Sequence, residues 1–155
     1  MGEALWTVAA LATAAGGDLD GVPAGDIAGL SIDTRTLRAG ELFVALKDQR
    51  DGHEFVPAAF ARGASAALVS RAYTRATGDG LLIRVDDPLD ALRRIAVAAR
   101  ARLTPEARVI AVTGSAGKTT TKEMLAACCG RLGPTHASEK SYNNHWGVPL
   151  TLARM

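Results

Sequence analysis

A continuous apolar run from Val109 to Thr113 leads straight into Gly114-Ser115-Ala116-Gly117-Lys118-Thr119-Thr120. A run of this length closed by glycine predicts a buried strand, and the segment from Lys118 to about Cys129, closed by Gly130, predicts a helix. Glycines between a strand and a helix let the backbone curl until successive N–H groups point into one concavity. The helix start adds its partial positive end, which makes a ready site for phosphate oxygens. In such a loop Gly114, Ser115, Ala116, Gly117 and Thr120 would line a nucleotide's phosphates. Lys118 would reach the β- and γ-phosphates, and the Thr119 hydroxyl would ligate the Mg2+ that bridges them. The pattern departs from the strict GxxxxGK[ST] form, because Val112 stands where the first glycine would be. A Gly-rich turn with an incidental lysine is the competing reading, and Thr120, Thr121 and Lys122 equally suit an ordinary first helical turn.

Composition bounds the rest. With 155 residues, 48% of them hydrophobic and 22% charged, the chain suits one globular domain or one and part of a second. That balance excludes a disordered tail, a collagen and a coiled coil. Cys128 and Cys129 are neighbours in the expected helix and diverge around it, which argues against a disulfide staple or a CxxC metal site and for a reduced, cytoplasmic setting. The Ala-rich N-terminus carries Glu3, lacks a basic leader and has no apolar run of spanning length, so neither a signal peptide nor membrane insertion is expected. Residues 1–100 hold 11 Lys/Arg against 13 Asp/Glu, whereas residues 101–155 hold 7 against 3. Positive charge thus gathers where polyanions such as nucleoside phosphates would be drawn. No basic stripe interleaves with aromatics, so nucleic acid is not an expected partner.

Along the chain, Leu5, Val8, Leu11 and Ala12 are spaced as on an amphipathic helix over Ala4 to Ala15, stopped by Gly16-Gly17. Strands are expected at 30–33, 42–46, 66–70 and 81–85, with a turn at Arg38-Ala39-Gly40 and a short helix from Val56 to Arg62. Asp87-Pro88 opens a long helix from Leu89 to about Leu103, with Leu89, Leu92, Ile95, Ala96 and Ala99 on one face. Thr104-Pro105-Glu106 ends it and marks the boundary between a first unit, 1–104, and a second, 105–155. The second unit is expected to be an incomplete start, because a parallel nucleotide-binding sheet needs several βα units, and apolar surface around Val109 to Val112 should then stand exposed.

Beyond the loop, Ser141 to Leu152 combines Asn143, Asn144 and His145 with Gly147-Val148-Pro149 at an expected helix start. From physics alone this is either a capped turn or a polar rim beside the phosphate loop. Together with the loop, it resembles the ATP-binding start of the Mur ligases, the ATP-dependent amide-bond-forming enzymes of peptidoglycan assembly. Ser31-Ile32-Asp33-Thr34-Arg35 through Leu46, then Asp51-Gly52-His53-Glu54-Phe55 and Ala59 to Ala64, resemble the small UDP-recognising domain of the branch that adds the later residues of the stem peptide. The Tyr142-Asn143-Asn144 and Gly147-Val148-Pro149-Leu150-Thr151 pattern is most like the member that adds D-Ala-D-Ala.

The resemblance implies an α/β chain, a small N-terminal UDP-MurNAc-peptide-binding domain followed by the incomplete start of a P-loop parallel-sheet ATPase domain. It implies ATP and Mg2+ as cofactors, UDP-MurNAc-tripeptide and D-Ala-D-Ala as small-molecule substrates, and a monomer at full length. By the same analogy Asp33, Thr34, Arg35, Gly52, His53, Asn143, Asn144 and His145 meet substrate. Asp33 and Thr34 also suit a turn cap, Arg35 a surface charge and His53 a hydrogen-bonded loop histidine. The family's remaining catalytic groups and closing domain lie beyond Met155, so this chain is expected to be a fragment that binds substrate without completing ligation. The alternatives are another Mur-type ligase, third-residue-adding or folylpolyglutamate-like, and a non-catalytic UDP-sugar or nucleotide-binding module.

Overall fold

The computed structural model describes residues 4–138 and 144–155. Five strands form one sheet: β1 (Asp18–Asp20), β2 (Gly29–Ser31), β3 (Glu41–Val44), β4 (Ala66–Ser70) and β5 (Leu81–Val85). They lie in the order β1-β5-β4-β3-β2, with β2 to β5 mutually parallel and β1 antiparallel on the edge. Side chains alternate across the sheet, as period two requires. Leu42, Val44, Ala66, Leu68, Leu81 and Ile83 face one core, while Phe43, Ala45, Ala67, Val69 and Leu82 face the other. The first face is covered by α1 (Val8–Ala15) and α3 (Pro88–Ala101), the second by a single 3-10 turn (Gly52–Phe55) running into α2 (Val56–Ala61). Both faces of the parallel strands are therefore dry, which explains their near-continuous apolar sequences.

Local signals account for most boundaries. The first helix starts later than its apolar spacing suggests. Thr7 caps it by accepting from the Ala10 N–H, and Trp6 instead pairs with Ile27 in an antiparallel bridge. Gly16 ends it in the left-handed conformation, φ 63°. Asp87 Oδ1 accepts from the Leu89 and Asp90 N–H groups at 2.7 and 2.9 Å, with Pro88 in the first turn of α3. The buried face of α3 is Ala91, Leu92, Ile95, Ala96 and Ala99; Leu89 lies at its half-exposed margin. Strand β1 has no apolar signature and is held by pairing to β5 and by Arg84 and Arg75, which reach the Asp20 carboxylate at 2.8 and 2.9 Å.

The C-terminal third departs from expectation at one point. Residues 109–113 form no strand; among the described residues nothing pairs with them, and Val109 and Ile110 are 46% and 56% exposed. A parallel strand gains its ladder bonds and its dry faces only from neighbours, so the apolar run alone does not make one. The expected exposure of this segment is what the structure shows. Helix α4 (Lys118–Cys129) forms as expected but buries none of its residues. The last helix, α5 (Gly147–Ala153), packs instead on α3 and β2, with Leu150 and Ala153 fully buried in the first core.

Candidate functional site

The loop from Gly114 to Lys118 is shaped by two glycines with positive φ, 146° at Gly114 and 75° at Gly117. A side chain would be strained at either position. Gly117 is the cap of α4, its carbonyl accepting from the Thr121 N–H at 2.9 Å, so the helix starts directly at the end of the loop. Lys118 is half-exposed. Its Nζ folds back over the loop and donates to the Gly114 carbonyl at 2.5 Å. Ser115, Ala116, Thr119 and Thr120 are exposed around this small ring. Lysine nitrogen, helix-start amides and the Thr119 hydroxyl are a donor set of the kind that suits polyphosphate with a hard divalent cation.

A second cluster lies at the carboxyl ends of the parallel strands, where open α/β sheets bind ligands. After β2, the Asp33 carboxylate accepts from the Arg35 backbone N–H at 2.9 Å and from its guanidinium Nη2 at 2.7 Å. That hydrogen bond and charge hold the Arg35 pKa above its ordinary value. Arg35 is 85% exposed, so this pair presents a charge to solvent rather than adding much stability. The hydroxyl of the buried Ser31 donates to the Asp33 carbonyl at 3.0 Å and sets the loop's exit; Thr34 is half-buried beside it.

After β3 the geometry is tighter. Gly52 donates to the Leu46 carbonyl at 2.8 Å, and a Cβ at Gly52 would stand 2.5 Å from that oxygen. His53 uses both ring nitrogens inside the protein. Nε2 accepts from the Ser70 N–H at 2.9 Å, so Nδ1 carries the proton and donates to Asp51 at 2.6 Å. Burial alone would raise the Asp51 carboxyl, but the His53 backbone N–H, the His53 ring and Lys47 together hold it at about 2. Tyr73 lies over this ring at 5.7 Å, and burial, aided by its hydrogen bond to Asp79, pushes its hydroxyl up to about 12.

The sequence-derived residues therefore fall in three places. Asp33, Thr34 and Arg35 share one end of the sheet with Gly52 and His53, in the segments that follow the neighbouring strands β2 and β3. The phosphate loop is a separate element. Asn144 Oδ1 accepts from the Gly147 N–H at 2.8 Å at the entrance to α5, with His145 exposed next to it; Asn143 lies outside the described residues. Sequence reasoning passed over Asp51, Ser70 and Tyr73 as site residues. Asp51 had a signal, since Asp two residues before His53 suits a cap, whereas Ser70 and Tyr73 meet His53 only through the fold. Among the described residues no group of His, Cys, Asp and Glu could hold a metal on its own, and no helix is long and apolar enough to cross a membrane.

A five-stranded α/β layer that precedes a phosphate loop of this kind defines a class: the chain belongs to the Mur ligase family. Residues 26–100 match the Mur ligase family, catalytic domain, and residues 112–155 match the Mur ligase middle domain. Within the family it is similar to the UDP-N-acetylmuramoyl-tripeptide–D-alanyl-D-alanine ligase of Bacillus subtilis, 44% identical over 83% of this chain and 28% of that protein. The Escherichia coli enzyme of the same name is 43% identical over 81% of this chain and 27% of its own length. A crystal structure of MurF from Acinetobacter baumannii superposes with a TM-score of 0.81 at 35% identity, over 97% of this chain and 33% of that one. MurF from Thermotoga maritima, solved in complex with ADP, gives 0.63 at 28% identity, over 81% of this chain and 29% of that one. The chain thus spans less than a third of the length of the curated relatives it matches.

Proposed function

We propose that this chain supplies the substrate-binding domain, residues 1–104, and the phosphate loop, within 105–155, of a ligase that joins D-Ala-D-Ala to UDP-MurNAc-tripeptide. The observation that carries this reading is the loop itself, in which Gly114 and Gly117 turn the backbone and Lys118 lies across the ring ahead of α4. It occurs in a chain whose relatives bear that enzyme's name. In the reaction, the terminal carboxylate of the tripeptide takes the γ-phosphoryl group of ATP and releases ADP. The amine of D-Ala-D-Ala then attacks the acyl phosphate, and phosphate leaves as the amide forms. A carboxylate is a poor electrophile because oxide would have to depart, and phosphorylation supplies a usable leaving group. Bound Mg2+ would neutralise charge on the phosphates. The Thr119 hydroxyl is the group here that would hold it. Lys118, released from the Gly114 carbonyl, would stabilise the oxygens between which the phosphoryl group moves.

At the sheet end, the Arg35 guanidinium and the Asp33–Thr34 turn would receive the uridine diphosphate end of the substrate, with Gly52 and His53 shaping the neighbouring wall. Asn143, Asn144 and His145 would border the phosphate loop. Calorimetric titration of the chain tests both halves. Mg-ATP should bind the parent and fail to bind Lys118→Ala, while UDP-MurNAc-tripeptide should bind both equally. Equal Mg-ATP affinity in the two proteins would remove the loop from the mechanism.

A further inference from the structure

Helix α5 follows the phosphate loop in the chain, yet its partners belong to the substrate layer. Its C-terminal end is held there by side chains from elsewhere. The Trp6 indole donates to the Ala153 carbonyl at 3.2 Å. Arg102, its guanidinium 3.5 Å above the Trp6 ring, donates to the carbonyls of Leu5 and Met155, each at 2.9 Å. Carbonyls at a helix end lack intrahelical donors, and here Trp6 and Arg102 supply them. In the opposite direction, Arg154 Nε donates to the Leu30 carbonyl at 2.8 Å.

That last contact falls on the shortest strand of the parallel set. β2 is three residues long and, among the described residues, is an edge strand paired with β3. Leu30 immediately precedes Ser31, whose hydroxyl fixes the Asp33 carbonyl, which in turn accepts from the Leu37 N–H at 3.0 Å. On its other side α5 is tied back toward the loop: His136 Nε2 meets the Thr151 carbonyl at 2.9 Å, and Lys122 of α4 donates to the Ser138 carbonyl at 2.5 Å. We propose that Arg154 is a positioning residue, anchoring β2 through the Leu30 carbonyl and so holding the Asp33–Arg35 loop in register with the segment that carries the phosphate loop. The proposal rests on the reading above in assigning substrate contact to that loop.

Two measurements on the 155-residue chain test the proposal: hydrogen exchange across residues 30–37, and separate titrations with UDP-MurNAc-tripeptide and Mg-ADP. A charge-assisted hydrogen bond of ordinary strength predicts that Arg154→Ala speeds exchange at 30–37 and weakens UDP-MurNAc-tripeptide binding, each about tenfold, while Mg-ADP affinity is unchanged. Arg154→Lys, which keeps a cationic donor, should recover part of both losses. If Arg154→Ala does not fold, Arg154→Gln carries the same comparison with one amide donor retained. Unchanged exchange at 30–37 overturns the proposal. So does a uniform rise in exchange across the sheet with both ligands weakened, since that is the mark of general destabilisation. Faster exchange confined to 30–37, in a chain whose parent does not bind UDP-MurNAc-tripeptide, upholds the anchor and sinks the functional reading of the loop.

Discussion

Asp51 and His53 show how a residue that looks like a ligand can be committed elsewhere. His53 offers no free nitrogen, since its Nδ1–H donates to Asp51 and its Nε2 accepts from the Ser70 N–H. Any substrate contact must therefore come from the ring face or from the neighbouring backbone. The Asp51 carboxyl sits at about 2, below its ordinary 3.8. A depressed carboxyl contributes stability that is fully present above the ordinary value and fades as pH falls toward the folded one. The gap in urea midpoint between the parent and Asp51→Asn should thus be constant from neutrality to about pH 4 and shrink between pH 4 and 2. Because Asp51 is a third exposed, its plateau should be about 1 kcal/mol rather than the full linkage value. Gly52→Ala should cost more, about 2–3 kcal/mol by chemical denaturation, because the clash is with the Leu46 backbone and no rotamer relieves it. The sequence shows the Asp-Gly-His spacing plainly. It cannot show Ser70, which lies 17 residues further on and meets His53 only because β3 and β4 are neighbours.

At the scale of elements, what could be read depended on whether a segment's own pattern or its neighbours decide its state. Strands β4 and β5 are near-continuous apolar runs, interrupted in β5 by Arg84, and the long helix α3 carries a capping Asp, a first-turn Pro and a 3.6-residue apolar stripe. All three lie where the pattern puts them. Removing the cap tests the claim that local signals set the boundary: Asp87→Ala should lower stability by about 1 kcal/mol, read from the urea midpoint, without changing far-UV dichroism beyond the first turn of α3. Asp18-Leu19-Asp20 carries no such pattern, its leucine being half-exposed, and becomes β1 through ladder bonds and arginines that arrive from 53 or more residues away. Residues 109–113 are the mirror case, since their composition is that of a strand but among the described residues no partner lies beside them.

For the molecule as a whole, the fold does not divide where the chain does. Helix α5 lies beyond the boundary expected near Thr104, yet its Leu150 and Ala153 fill the first core with Leu30, Leu92 and Trp6. Two substitutions in the C-terminal third should therefore behave in opposite ways. Ile110→Ser alters a side chain that is 56% exposed, and it should leave the urea midpoint of the chain unchanged to within about 0.5 kcal/mol. Leu150→Ala empties a fully buried position, and it should cost about 2–5 kcal/mol, the range for large-to-small changes in a packed core. If α5 belonged energetically to the phosphate-loop segment, Leu150→Ala would instead produce a separate, earlier transition, with the sheet unfolding at its original midpoint. A single shifted transition, the same by far-UV dichroism and by tryptophan fluorescence, is expected. Trp6 lies against α5 at one side of the sheet's principal core, so loss of the helix and loss of the sheet would be reported together.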